Sequence, residues 1–174
     1  MKLVRWKRFT WQIKQLPPLE EKLPGHFISR PATREEGRAV AHVVLTAYSL
    51  DSTWSDTLNH FRERLEMQLE LAFQRESFPA IVITHGPRII ATSVLNTDPD
   101  ADSNLVSGPC VLSEYCNRGL GSALLHASLR QLGENGLERV AGITKENSTA
   151  CKFLYPKFGS ASAPCDYVAA LAAT

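Results

Sequence analysis

The sequence has no apolar run approaching the ~18 residues a membrane helix requires. Its amino terminus is basic, but Arg5, Lys7 and Arg8 interrupt the apolar stretch that a secretion signal needs. The four cysteines, Cys110, Cys116, Cys151 and Cys165, show neither CxxC spacing nor histidine pairing of the zinc-site kind. They read as reduced thiols of a cytoplasmic protein, and no metal is expected. There is no internal repeat and no low-complexity tract. Charge of neither sign dominates, with 19 Lys and Arg against 18 Asp and Glu, so bulk electrostatics point to no nucleic-acid or membrane partner.

What is present suits a globular domain: 174 residues, of which 44% are hydrophobic and 21% charged. Residues 1–25 carry six basic and two acidic side chains, a local +4, leaving 13 basic and 16 acidic, or −3, for the rest. Residues 1–16 fit two patterns. Leu3, Trp6, Phe9, Ile13 and Leu16 have helical spacing, whereas Phe9, Trp11 and Ile13 alternate as in a strand. The prolines and glycine of residues 16–25 then read as a linker. The division expected is a basic extension, 1–25, packing its tryptophans on the surface of a domain, 26–174.

Within that domain, Phe27 to Arg30 reads as a short strand. Thr33 and Glu36 make a capping box, and Ala39, Val40, Val43, Val44 and Ala47 form the apolar face of a first helix. Leu58, Phe61, Leu65, Leu69, Ala72 and Phe73 line a second. The β-rich runs 80–84 and 88–95 flank His85-Gly86-Pro87 and predict a hairpin. A polar loop, 96–104, leads to a third run, 105–112. A helix over about 119–134, a strand over 140–144 and a helix over about 148–157 follow. After Gly159 fifteen residues leave room for one short strand pair.

The stretch richest in chemistry runs from Val111 to Leu125: a strand, a tight turn, then an apolar helix start. Gly119 and Gly121 let backbone amides approach a ligand without Cβ obstruction. Free N–H groups of a first helical turn, at the positive end of the helix dipole, bind anions. Arg118 adds a cation and Ser122 a hydroxyl, so a two-phosphate ligand suits the turn. Leu124 stands where the dinucleotide fingerprint needs a third glycine, and no Gly-Lys-Ser/Thr follows as in a P-loop.

The turn resembles motif A of the GNAT acetyltransferases, Arg/Gln-x-x-Gly-x-Gly/Ala at the start of the third helix, with Cys116 in the first position. The similarity extends from about Ile28 to Gly159, and the β-α-α-β-β-β-α-β-α order agrees with that family's. A second block, Asn147-Ser148-Thr149-Ala150 followed by Phe153-Leu154-Tyr155-Pro156-Lys157-Phe158-Gly159, is also similar to the family. The resemblance implies a mixed α/β fold: a mostly antiparallel twisted sheet with a splayed parallel strand pair, flanked by about four helices. It implies acetyl-CoA as cofactor, with Cys116, Asn117, Arg118, Gly119, Leu120, Gly121 and Ser122 around the pyrophosphate and Asn147 near the pantetheine arm. Backbone donors at Cys110 and Val111 would polarise the thioester carbonyl.

The activity implied is N-acetyltransfer to a primary amine of a small molecule or protein, by direct attack in a ternary complex. A non-catalytic acyl-CoA-binding or interaction module on the same fold is the alternative, and a homodimer stays open. Tyr155 is the general acid the resemblance suggests, although the family's tyrosine comes seven residues after the asparagine, a slot held here by Leu154. One residue turns a helix by ~100°. A local bulge near Pro156 would restore the register. No general base can be assigned: Glu114 reads as a solvated turn residue, and His60, His85 and His126 as packing or surface side chains. Cys116 has no His and Asp partner that would make it a nucleophile. The acceptor would meet the loop 49–55, where Asp51 offers a carboxylate and Trp54 a wall.

Overall fold

The structure is a computed structural model and describes residues 4–20, 22–75 and 79–166. Its strands, in chain order, are β1 (Trp6–Gln12), β2 (Phe27–Pro31), β3 (Ala80–His85), β4 (Arg88–Val94), β5 (Cys110–Val111), β6 (Arg139–Lys145) and β7 (Ala161–Cys165). The helices are α1 (Gly37–Leu50), α2 (Leu58–Ala72) and α3 (Leu120–Glu134), with a π-helical turn at Ala150–Leu154. The strands form two antiparallel sheets, ordered β2-β3-β4-β5 and β6-β1-β7. The fold is mixed α/β.

Local signals explain the first sheet and its helices. The Thr33–Glu36 capping box is formed, and Glu36 also takes a bidentate pair from Arg30 at 2.7 and 2.8 Å. Gly86, with φ +58, turns the chain between β3 and β4. Both strands are buried at nearly every position, as strands covered on both faces are. The covers are α1, with α2 packed on it, and α3.

The second sheet overturns the reading of residues 1–25 as a surface arm. Strand β1 is its middle strand, paired with β6 from Trp6↔Lys145 to Gln12↔Arg139 and with β7 from Trp6↔Cys165 to Thr10↔Ala161. Trp6, Phe9 and Trp11 are buried, and Trp11 is 0% exposed. The alternating pattern wins over the helical one because both backbone edges of this segment find partners. A linker does follow, but His126 Nε2 donates to the Pro17 carbonyl at 2.8 Å and ties it to α3.

The sheets meet at Asn104. Its N–H donates to the Ala141 carbonyl (2.7 Å), its Oδ1 accepts from the Ala141 N–H (2.9 Å), and its Nδ2 donates to the carbonyls of Asn96 and Asp98. Beyond that contact, β5 and β6 belong to separate sheets. The third β-rich run is also shorter than expected. Its two ends, the Leu95↔Leu105 bridge with the Val106 N–H bond to the Val94 carbonyl, and β5, lie along β4, and Gly108 at φ +63 and Pro109 interrupt the ladder between them. The last helix expected, 148–157, shrinks to the π turn for the same kind of reason, a proline at its end. No helix among the described residues is long and apolar enough to cross a membrane.

Candidate active site

A cleft of about 630 Å³ opens where the two sheets part, between the end of α1, β5, the start of α3 and the π turn. Most of the residues expected from sequence line it: Cys110, Val111, Cys116, Asn117, Gly119, Leu120, Gly121, Ser122 and Tyr155.

At the start of α3 the chain builds a cradle of unpaired amides. A 3-10 turn, Ser113–Tyr115, is followed by Asn117 at φ 63 and Gly119 at φ 78, which aim the chain into α3. The first helical bond is from the Ala123 N–H to the Gly119 carbonyl (3.1 Å), and no side chain caps the helix. The N–H groups of Leu120, Gly121 and Ser122 are therefore without intrahelical partners. A Cβ on Gly121 would meet nothing closer than Leu154 at 3.8 Å. The fold itself does not demand glycine there, and the open space lies on the cleft.

The cation of this cradle is Lys157. Its Nζ donates to Ser122 Oγ at 2.6 Å, bringing a side chain 35 residues away to the α3 terminus. Arg118, the cation expected from sequence, does not line the cleft; it stacks on the Tyr115 ring (5.3 Å) and donates to the Glu114 carbonyl. Asn147 is also outside the cleft and exposed. The junction after β6 is held instead by Ser148, whose buried Oγ lies 3.0 Å from Thr144 Oγ1 and accepts the Cys151 N–H at 3.1 Å. A serine at the head of a turn is the signal that could have found it.

Deeper in, β5 offers one backbone donor. The Leu112 N–H donates to the Ile90 carbonyl, so 90/112 is a hydrogen-bonded pair. Alternation along an antiparallel ladder makes Thr92/Cys110 the same type and Ala91/Val111 the other. The Val111 amide thus points away from β4, while that of Cys110 points toward it. Burial pushes the Cys110 thiol up to about 12, opposed by its hydrogen bond to Ser107 and reinforced by the Asp51 charge. Burial, then Asp51, also raises the Cys116 thiol. Neither sulfur is set up as a nucleophile.

Tyr155 is 3% exposed although one place out of register in sequence. The π turn accounts for it: the Tyr155 N–H donates to the Ala150 carbonyl five residues back, at 2.8 Å. One extra residue in the turn absorbs the rotation of about 100° that would have sent the side chain elsewhere. Its ring sits edge-on to Phe9 and Trp11 of β1, each at 5.6 Å, and Trp11 Nε1 donates to the Lys157 carbonyl (2.9 Å). The hydroxyl lies against Gly108, where an added Cβ would collide with it. No hydrogen-bond partner for it is found among the described residues. Burial, with Cys110 and Cys151 adding, raises its pKa well above the ordinary phenol value.

Where α1 ends, the cleft is lined by Tyr48, Asp51 and Trp54. Tyr48 donates to the Ser107 carbonyl at 2.6 Å and meets Trp54 edge-on at 4.9 Å. The remaining ionisable candidates lie elsewhere. Glu114 is exposed and paired with Arg88 at 3.2 Å, His85 Nδ1 is 2.8 Å from the Tyr115 hydroxyl, and His126 packs on Phe158.

Comparison with known proteins agrees with the fold. The profile of the Acetyltransferase (GNAT) family matches residues 46–159. No curated protein matches the sequence. Among solved structures, a Drosophila protein superposes with a TM-score of 0.60 at 14% identity, covering 93% of this chain and 50% of its own. A GCN5-related N-acetyltransferase from Sphaerobacter thermophilus gives a TM-score of 0.60 at 20% identity, covering 94% and 50%. One from Kribbella flavida gives 0.58 at 16% identity, covering 97% and 62%. The chain spans about half the length of the first two. With the profile covering 46–159 of 174 residues, the chain belongs to the GNAT acetyltransferase family.

Proposed function

We propose that the protein is an acetyl-CoA-dependent N-acetyltransferase acting on a primary amine. The observation that carries this reading is the convergence, in one cleft, of the uncapped α3 terminus with Lys157 and of the Tyr155 phenol brought into register by the π turn. The residues present fit coenzyme A, since the open space at Gly121 and the unpartnered amides suit a pyrophosphate.

Acetyl-CoA supplies an acetyl group as a thioester whose sulfur departs when an amine nitrogen takes its place. The amides of Leu120, Gly121 and Ser122, with Lys157, bind the phosphates. The Val111 N–H, facing away from β4, donates to the carbonyl oxygen as negative charge grows on it. The Tyr155 phenol, kept protonated by burial, gives its proton to the leaving sulfur, and the proton shed by the attacking nitrogen passes to solvent, which restores the phenol. The walls of the cleft hold both reactants together, making attack effectively unimolecular.

The test is thiol release from acetyl-CoA with a panel of amines, beside ligand-dependent thermal stabilisation. The expected result is amine-dependent thiol release. Stabilisation by CoA with no thiol release for any amine would instead identify a binding module, and absence of both would overturn the cleft's assignment.

A further inference from the structure

Among the residues lining the cleft, two side chains carry a formal charge: Lys157, beside the α3 terminus, and Asp51, at the end of α1. Asp51 uses Oδ1 for its own turn, accepting from the Thr53 N–H (3.0 Å) and Oγ1 (2.7 Å). Oδ2 has no partner among the described residues. The neighbouring carboxylate, Asp56, is held by Lys145 Nζ at 2.5 Å and is not a lining residue.

The surroundings of Asp51 are apolar and aromatic. Trp54 and Tyr48 line the cleft beside it, and the mouth carries two of the exposed large hydrophobic side chains, Leu50 (63%) and Phe153 (70%). An apolar side chain left in water beside a cleft has its surface covered when a ligand with a matching body enters.

We propose that the acceptor is a primary amine with an apolar, ring-bearing body, drawn in as its ammonium by Asp51 with the body lying along Tyr48, Trp54 and Phe153, the nitrogen giving up one proton to solvent before it attacks as the free amine. This rests on the acetyltransferase reading above and deepens it. A polyamine would bring a second ammonium with no second free carboxylate to meet it. An α-amino acid would bring a carboxylate beside Asp51, and the lining cation, Lys157, is engaged with Ser122 at α3.

The experiment compares 2-phenylethylamine, spermidine, glycine and a lysine-containing peptide by thiol release, in the wild type, Asp51→Asn and Phe153→Ala. Asparagine keeps the Oδ1 acceptor that caps the turn, so melting temperature and CoA affinity are expected to hold. The KM for 2-phenylethylamine should rise about tenfold to a hundredfold in Asp51→Asn with kcat little changed, because a charge-assisted hydrogen bond is lost. Phe153→Ala should also raise KM. Preference for spermidine, glycine or the peptide, or an unchanged KM in Asp51→Asn, overturns the proposal while leaving the acetyltransferase reading intact. If no amine releases thiol although CoA binds, it is the acetyltransferase reading that fails. Calorimetric titration of 2-phenylethylamine into the CoA-saturated protein then decides the site. Binding that is lost in Asp51→Asn supports it, and no binding to the wild type overturns it.

Discussion

A single methyl group should reach the Tyr155 hydroxyl, the general acid proposed above. Gly108 sits at φ +63 with its Cα facing the Tyr155 hydroxyl, and a Cβ built there would overlap the phenol oxygen. Gly108→Ala therefore carries two costs. The left-handed backbone costs an L-residue about 1–2 kcal/mol, and overpacking a closed site adds about 1–3 kcal/mol. Phe9 and Trp11 stand edge-on against the ring, so relief requires the whole side chain to tilt, which carries the hydroxyl out of its place. The protein should remain folded, given the ~5–15 kcal/mol typical of a domain. Loss of a positioned proton donor should lower kcat about a hundredfold to ten-thousandfold. The assay is thiol release at saturating acetyl-CoA and amine, with CoA affinity by calorimetry, for Gly108→Ala, Tyr155→Phe and the double variant. If both act on one proton, the double variant is no slower than the worse single. Gly86→Ala serves as the comparison, because Gly86 has a similar φ of +58 but nothing within 4 Å of its added Cβ, and its kcat should be normal. Wild-type kcat in Gly108→Ala, or full additivity in the double variant, would refute the role given to Tyr155.

Three further outcomes follow from the same structure. Gly121→Glu should abolish CoA binding at an unchanged melting temperature, since the fold leaves space there but the proposed phosphate cradle does not; calorimetry showing normal affinity would remove the α3 turn from the site. Deleting residues 1–12 removes the middle strand of the second sheet and three buried aromatics, each worth about 3–5 kcal/mol on truncation to alanine, so the product should be unfolded by circular dichroism. The carboxyl of Glu36 is held at about 2, against an ordinary 4.5, first by Arg30 and then by the Thr33 N–H. A depressed carboxylate stabilises the fold above its ordinary value and loses that contribution as pH falls from about 4.5 to 2. Glu36→Gln should flatten stability over that window in urea titrations, by about 1 kcal/mol for so exposed a pair.

The parts of this protein legible in its sequence are those whose cause is local. The Thr33–Glu36 box, the His85-Gly86-Pro87 hairpin and the Gly119 turn into α3 each depend on residues within a few places of one another, and each is where the pattern put it. The illegible parts depend on partners far along the chain. Trp6 to Gln12 carry two competing periods, and the choice is made by β6 and β7, more than 120 residues later. Arg118 is adjacent to the anion turn in sequence yet faces Tyr115, while Lys157 arrives there because the π turn ends beside Ser122. Tyr155 lies between the two cases. Its misplacement by one residue was visible, as was Pro156, but only the i−5 hydrogen bond to Ala150 shows which way the extra residue is absorbed. These distant terms are not independent of one another. Strand β1 joins β6 to β7, backs the Tyr155 ring with Phe9 and Trp11, and through Trp11 Nε1 holds the carbonyl of Lys157, whose side chain closes the anion site. The segment that reads in sequence as a basic extension on the domain surface is thus the element through which stability and the two halves of the cleft are coupled. Trp11→Phe should therefore disturb Tyr155 and Lys157 together rather than either alone.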